Sequence, residues 1–294
     1  MFKGSITALI TPLKNGKVDE KAFQDFVEWQ IIQGTQGLVP CGTTGESPTL
    51  THEEHERVID LCIESANGKI PVIAGTGSNS TDEAISLTKF SKEAGADAAL
   101  VVTPYYNKPT QEGLYHHFKA INDNCDLPII IYNIPGRSVV DINIETMKKL
   151  AKLKNIIGVK DSSNDLTRPL LTAKSIGKNF CQISGEDATI VPFLSQGGHG
   201  CISVTANIAP KICSDLHNAW QKGNFKKVQY LNTFLFPLHS ALFLETSPGP
   251  VKYAASLLRI CSSELRLPLV QVASSTKKEV KSVLNKLRIK PIKK

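Results

Sequence analysis

The chain has 294 residues, 41% of them hydrophobic and 21% charged, the balance of a globular protein with a sizeable core. No apolar run approaches the roughly 20 residues of a membrane span. Pro12 and Lys14 interrupt the N-terminal stretch where a signal peptide would need its apolar region, so the expected compartment is the cytoplasm. The formal charge of +7 is local: eight bases and one acid lie between Lys277 and Lys294, and the first 276 residues balance to zero. Val280, Val283, Leu284 and Leu287 mark an apolar helical face in that segment. It therefore reads as a solvated C-terminal helix with a short frayed end, not a nucleic-acid arm. Seven cysteines are scattered singly, which predicts buried reduced thiols and neither a disulfide framework nor a zinc site.

Along the chain a short apolar run alternates eight times with a longer amphipathic stretch. The runs are Ser5–Leu13, Gly37–Cys41, Ile70–Gly75, Ala98–Tyr105, Pro128–Ile134, Ile156–Lys160, Phe180–Ser184 and Gly200–Thr205, bounded by Gly, Pro or Asn. Helical periodicity covers Asp19–Gln33, Thr51–Ala66, Thr81–Ala94, Gln111–Asn124 and Ile144–Leu153. Thr51 and Glu54 have the spacing of a capping box. Strands this continuously apolar are buried on both faces, as in a parallel sheet. Eight such units predict an α/β fold of the (β/α)8 TIM-barrel class, over residues 1–223. An open doubly wound sheet competes, but no G-x-G-x-x-G turn follows any run. Pro210–Gly223, Phe225–Leu244, Pro248–Leu258 and Ser274–Leu287 are helical by period, and residues 224–294 are expected as a helical extension packed on the barrel.

In barrel enzymes the site lies where the strands end. Lys160 closes the otherwise apolar Asn155-Ile156-Ile157-Gly158-Val159, and desolvation there disfavours an ammonium and frees a lone pair for attack on a carbonyl. Other strand ends carry Cys41-Gly42-Thr43-Thr44-Gly45-Glu46, Thr103-Pro104-Tyr105-Tyr106-Asn107, Tyr132-Asn133-Ile134-Pro135-Gly136-Arg137 and Ser184-Gly185-Glu186-Asp187. Hydroxyls and backbone N–H groups beside glycine suit a carboxylate, and a guanidinium matches one bidentately. Each element alone has an ordinary reading, such as a turn for Thr43-Thr44, packing for the two tyrosines, or an Arg137–Asp141 pair. Their recurrence at successive strand ends is what points to a site.

The motifs Ile6-Thr7-Ala8-Leu9-Ile10-Thr11-Pro12, Gly42-Thr43-Thr44-Gly45-Glu46, Thr103-Pro104-Tyr105-Tyr106-Asn107-Lys108-Pro109, Tyr132 to Arg137, and Gly158-Val159-Lys160-Asp161 together resemble the dihydrodipicolinate synthase family, which also holds N-acetylneuraminate lyase. The resemblance spans essentially the whole chain. It implies a cytoplasmic lyase that condenses pyruvate with L-aspartate-4-semialdehyde in diaminopimelate and lysine biosynthesis. The implied enzyme is a homotetramer with a covalent Schiff base and no separate cofactor or metal. Carried over by position, Lys160 forms the imine, and Thr43 and Thr44 hold the pyruvate carboxylate. Tyr132, Thr44 and Tyr106 relay protons, with Tyr106 offered by a neighbouring subunit. Arg137 receives the second substrate's carboxylate, and Gly185 and Ile202 line the site.

A keto-sugar-acid or N-acetylneuraminate aldolase shares most of these residues, but Arg137 suits a small second substrate bearing a carboxylate. A catalytically silent member is the other alternative. The resemblance also implies an allosteric L-lysine site at Ser47, His52, His55, Asn79, Glu83 and Tyr105, with Pro48 as a departure that stiffens the loop. The H-x-x-H pair at His52 and His55 invites a zinc reading, but no third ligand stands nearby in sequence. Two further departures are Ser138-Val139-Val140, where relatives commonly have Thr-Gly or Thr-Ala, and Thr246-Ser247-Pro248 in place of Pro-Asn-Pro. The first is expected to narrow the approach of the second substrate; no role is assigned to Ser247.

Overall fold

The computed structural model describes residues 1–292; Lys293 and Lys294, the end of the basic segment, lie outside the described residues. All eight apolar runs contain a strand. In chain order the strands are β1 (Gly4–Ala8), β2 (Leu13–Lys14), β3 (Lys17–Val18), β4 (Gly37–Val39), β5 (Ile73–Gly75), β6 (Ala98–Val102), β7 (Ile129–Asn133), β8 (Ile156–Asp161), β9 (Cys181–Ser184) and β10 (Gly200–Ser203). The helices are α1 (Glu20–Ile32), α2 (His52–Ala66), α3 (Thr81–Ala94), α4 (Gln111–Asn124), α5 (Pro135–Ser138), α6 (Ile144–Leu150), α7 (Arg168–Ser175), α8 (Ile190–Ser195), α9 (Pro210–Gln221), α10 (Phe225–Ala241), α11 (Gly249–Leu257) and α12 (Ser274–Lys286).

The first apolar run differs from its expected form. Ser5–Leu13 is not one strand: it ends as a strand at Ala8, and Leu13 opens the β2–β3 hairpin. The hairpin turns on Asn15 and Gly16, both at positive φ (+53° and +76°), the two-residue geometry that Asn-Gly favours. The short helices α5 and α8 have too few turns to show a period in sequence, and α7 shows no apolar face because it buries Pro169 and Thr172 and exposes Leu170 and Leu171.

Contacts group the chain into two compact units. One holds residues 1–3 and 72–202. In it β5, β6, β7, β8 and β9 pair parallel, each with the next, and β10 follows beside β9. Its core gathers Val101, Phe118, Ile129, Ile131, Met147 and Leu150, where α4 and α6 cover the outer faces of the strands. Gly158 is required inside β8, because a Cβ there would sit 2.4 Å from the Cys181 carbonyl oxygen of β9.

The other unit holds residues 4–71 and 203–292 of the described chain. Here β1 and β4 pair parallel, α1 packs on α2, and α9 packs on β1. The C-terminal helices continue outward in this unit, α10 against α9 and α12 against both α10 and α11. Val280, Val283 and Leu284 of α12 are buried, as the apolar face read in that segment predicts. Thr51 closes the predicted capping box at the start of α2, accepting from Glu54 N–H while the Glu54 carboxylate accepts from Thr51 N–H. All seven cysteines are free thiols and six are buried.

Candidate active site

Lys160 and Tyr132 stand level in the β7–β8 register. Side chains alternate along a strand, so level residues on parallel neighbours face the same way. The result is direct contact: Lys160 Nζ lies 3.9 Å from the centre of the Tyr132 ring. Lys160 is only 6% exposed, so the amine is housed inside the protein, one residue before the end of β8. An amine fixed against a phenol can attack a carbonyl with a proton-carrying group at hand.

The next register pair, Asn133 with Asp161, points the opposite way and forms a polar anchor behind Lys160 and Tyr132. Arg168 Nε meets Asp161 Oδ2 at 2.9 Å, and its Nη2 donates to the Ile142 carbonyl at 2.7 Å. Asn133 Nδ2 donates to Asp141 Oδ1 at 2.8 Å, and Arg168 Nη1 lies 3.2 Å from the same oxygen. Sequence reading missed this cluster. Its one visible signal was that two apolar strands each end in an amide or carboxylate, directly after Tyr132 and Lys160.

Gly185 follows β9 and leaves space for the lysine chain. A Cβ there would lie 1.8 Å from Ser162 Oγ and 3.0 Å from Lys160 Cε. Beside it, burial pushes the Glu186 carboxyl above the ordinary range, and Asp187 acts in the same direction, while Lys160 and the Ser162 hydroxyl pull it back down. Glu186 is thus a carboxyl close enough to feel the Lys160 charge, a role its sequence position did not signal. Ile202 is buried in β10.

Backbone strain collects just past the strand ends. Cys41 and Glu46 after β4, Tyr106 and Lys108 after β6, Val139 after β7 and Asn164 after β8 all have positive φ without being glycine. Such conformations cost on the order of 1–3 kcal/mol each and cluster at functional loops. Tyr106 is 91% exposed, turned out to solvent in the single chain. Arg137 is exposed on α5, at the end of β7. Val139, next to Arg137 and Ser138, has a left-handed backbone at φ +63°. Ser138 is buried and accepts from the Thr103 hydroxyl at 3.2 Å, so it faces inward; Val139 is the exposed member of the pair.

In the other unit, Thr43 and Thr44 form a single 3-10 turn, Thr43–Gly45, and a second one covers Ser47–Thr49. Pro48 sits early in the second turn, where a missing N–H costs least. His52 is exposed at the start of α2 and His55 is buried, so their shared helix face is not uniformly solvated. Among the described residues no group of three or more His, Cys, Asp or Glu is arranged to hold a metal ion.

Three residues of the expected effector site come together in the first unit. Asn79 Nδ2 donates to the Tyr105 carbonyl at 3.2 Å, and Ser78 Oγ donates to Glu83. Burial pushes the Tyr105 phenol up, and the negative charge of Glu83 adds to it.

Residues 1–287 match the dihydrodipicolinate synthetase family, and the chain belongs to it. A 4-hydroxy-tetrahydrodipicolinate synthase of Rhodospirillum centenum is 66% identical over 97% of this chain and 98% of its own. The crystal structure of dihydrodipicolinate synthase from Aquifex aeolicus is 46% identical, covers 100% of both chains and superposes with a TM-score of 0.97. The chloride-inhibited enzyme of Acinetobacter baumannii complexed with pyruvate is 46% identical, covers 98% of this chain and 100% of its own, and has a TM-score of 0.96. The Cyanidioschyzon merolae enzyme with lysine bound is 35% identical over 98% of this chain and 99% of its own, with a TM-score of 0.95. The fold is therefore the expected (β/α)8 barrel with C-terminal helices.

Proposed function

We propose that this chain condenses pyruvate with L-aspartate-4-semialdehyde to 4-hydroxy-tetrahydrodipicolinate, in the diaminopimelate and lysine pathway, as a class I, Schiff-base-forming lyase. The observation that carries the reading is the buried Lys160 amine held against the Tyr132 ring. The full-length identity to enzymes of that name and the pyruvate complex of a relative support it.

In this reading the Lys160 nitrogen attacks the pyruvate ketone carbon and water leaves, giving an iminium. The iminium withdraws electrons, a methyl proton departs, and the resulting enamine carbon attacks the semialdehyde carbonyl. The substrate's own amine then displaces Lys160 from the iminium carbon and restores the free lysine. Thr43 and Thr44 take the pyruvate carboxylate, and Arg137 takes that of the semialdehyde. Tyr132, Thr44 and Tyr106 move protons, the last from a neighbouring subunit of a homotetramer. Gly185 and Ile202 contribute backbone carbonyls. No cofactor beyond the covalent imine is needed, and the cytoplasm is the compartment that fits.

We further assign L-lysine as an effector at Ser47, His52, His55, Asn79, Glu83 and Tyr105. The closeness of Glu83 to Tyr105, one residue from Tyr106, supports it, as does the lysine-bound relative. The division of the chain into a barrel over 1–223 and an extension over 224–294 belongs to the same proposal.

Borohydride added with pyruvate should leave a reduced pyruvyl adduct on Lys160; an unmodified Lys160 would sink the reading. Turnover of N-acetylneuraminate without turnover of aspartate semialdehyde would transfer the case to the sugar-acid aldolase. For the effector site, initial rates should fall with rising L-lysine and lose that response in Glu83→Thr.

A further inference from the structure

Lys252 stands alone among apolar and small residues in α11, Gly249-Pro250-Val251-Lys252-Tyr253-Ala254-Ala255-Ser256-Leu257, and is 0% exposed. Its ammonium meets Glu46 Oε1 at 2.6 Å, on a carboxylate whose side chain is 1% exposed. The backbone N–H of Arg266 donates to the other oxygen, Oε2, at 3.0 Å. Burying two charges is a poor way to gain stability, because apolar residues of similar volume do as well or better. The pair calls for a role besides stability.

Its location supplies one. Glu46 has φ +57° and joins the Thr43–Gly45 turn to the Ser47–Thr49 turn. Left-handed backbone at a residue with a long side chain persists only where the surroundings over-determine it. Here the carboxylate is gripped from two sides, 206 residues away by Lys252 and 220 residues away by Arg266. Further anchors surround the same segment. The Thr11 hydroxyl donates to the Gly45 carbonyl at 2.7 Å, and Arg266 Nη1 donates to the Thr49 carbonyl at 2.7 Å. Arg266 also pairs with Glu54, the capping residue of α2. The turn that carries Thr43 and Thr44 thereby hangs from a fixed backbone.

We propose that Glu46 and Lys252 are positioning residues, a buried ion pair that sets the Thr43–Thr44 turn to receive the carboxylate of a small 2-oxo acid. The proposal rests on the reading of those threonines under the proposed function. A carboxylate contact is made alike in the bound substrate and along the reaction, so loosening it raises KM for pyruvate more than it lowers kcat.

Glu46→Gln and Lys252→Met alone each strand a buried charge and fail for that reason, whatever the role of the pair. The informative variant is the double one, Glu46→Gln with Lys252→Met, which removes both charges together. It should unfold near the wild-type temperature, with KM for pyruvate raised about tenfold or more; because Thr44 also moves protons, kcat falls too, by a smaller factor than KM rises. KM for aspartate semialdehyde should stay put. Amide hydrogen exchange at residues 42–47 should accelerate while α10 keeps its protection. A purely structural pair would instead lower kcat alone, through a smaller active fraction. Unchanged pyruvate KM with unchanged exchange at 42–47 overturns the proposal. Borohydride trapping with wild-type enzyme runs in parallel: no adduct there overturns the pyruvate reading, while the exchange at 42–47 still decides whether the pair sets the turn.

Discussion

The Lys160 side chain runs close past Gly185, and that glycine is where single-residue chemistry is most exposed to test. The nearest atoms to an added Cβ are Ser162 Oγ at 1.8 Å and Lys160 Cε at 3.0 Å. Gly185→Ala should therefore displace Ser162 and tilt the lysine while leaving the fold intact. A misplacement of about 1 Å can cost about a hundredfold in rate, so borohydride trapping of pyruvate should slow by that order with an unchanged circular dichroism spectrum. Trapping at the wild-type rate would show that the lysine does not depend on that space. Val139 tests the opposite case, a residue that fits its place badly. A β-branched side chain at φ +63° carries strain, and at 66% exposure it has few contacts to lose. Left-handed backbone costs roughly 1–2 kcal/mol for an ordinary residue, and glycine's extra chain entropy returns about 0.5–1 kcal/mol of that. Val139→Gly should raise stability by under about 1 kcal/mol in urea unfolding; a fall would mean that its contacts outweigh the strain. The burial of Lys160 was legible from sequence, since a lone lysine closing an apolar strand is conspicuous. Lys252 shows the same signature in a helix, but a buried lysine carries no mark that says whether an imine or a carboxylate awaits it.

Among the elements, α4 carries a group whose protonation couples to folding. His117 is buried, its Nδ1 lies 3.0 Å from the Thr81 hydroxyl, and its ring packs edge-on against Phe118 at 5.2 Å. Burial lowers its pKa from 6.5 to about 4. Above pH 6.5 the imidazole is neutral in both folded and unfolded chains and contributes no pH dependence. Below it the unfolded chain binds a proton that the folded chain refuses, so stability falls as pH drops from about 6.5 to about 4, by roughly 3 kcal/mol at most. His117→Asn should flatten the fall of unfolding free energy in that window, and parallel curves would rule the coupling out. The strands and long helices were legible because each has enough residues to show its period. The Asn133–Asp141–Asp161–Arg168 cluster was not, since it joins β7, the segment after α5, β8 and α7, and α7 shows no apolar face, its leucines Leu170 and Leu171 being exposed. The Ser5–Leu13 run misled for a related reason. Its apolar content continues past the end of β1 at Ala8 as far as Leu13, and only Asn15-Gly16 marks the hairpin that follows.

At the scale of the whole molecule, Tyr106 decides how many chains make one site. The residue is 91% exposed with left-handed backbone, an expensive way to display a phenol unless something outside the chain receives it. No single sequence can announce this, because an interface residue and a solvated one are spelled alike. If Tyr106 completes the relay of a neighbouring subunit, two dead variants should rescue each other. Tyr106→Phe retains Lys160 and lacks the donated phenol; Lys160→Ala retains the phenol and lacks the amine. In a two-fold dimer that pairs one of each, one site combines an intact Lys160 with the partner's intact phenol, and the other site lacks the amine. Random re-association of equal amounts makes about half of all dimers mixed, with one working site in two, so activity should recover to about a quarter of wild type. Subunits mixed without prior dissociation should stay inactive. Were Tyr106 to serve its own chain, both sites of a mixed dimer would lack a group, and no ratio of the two variants would restore turnover.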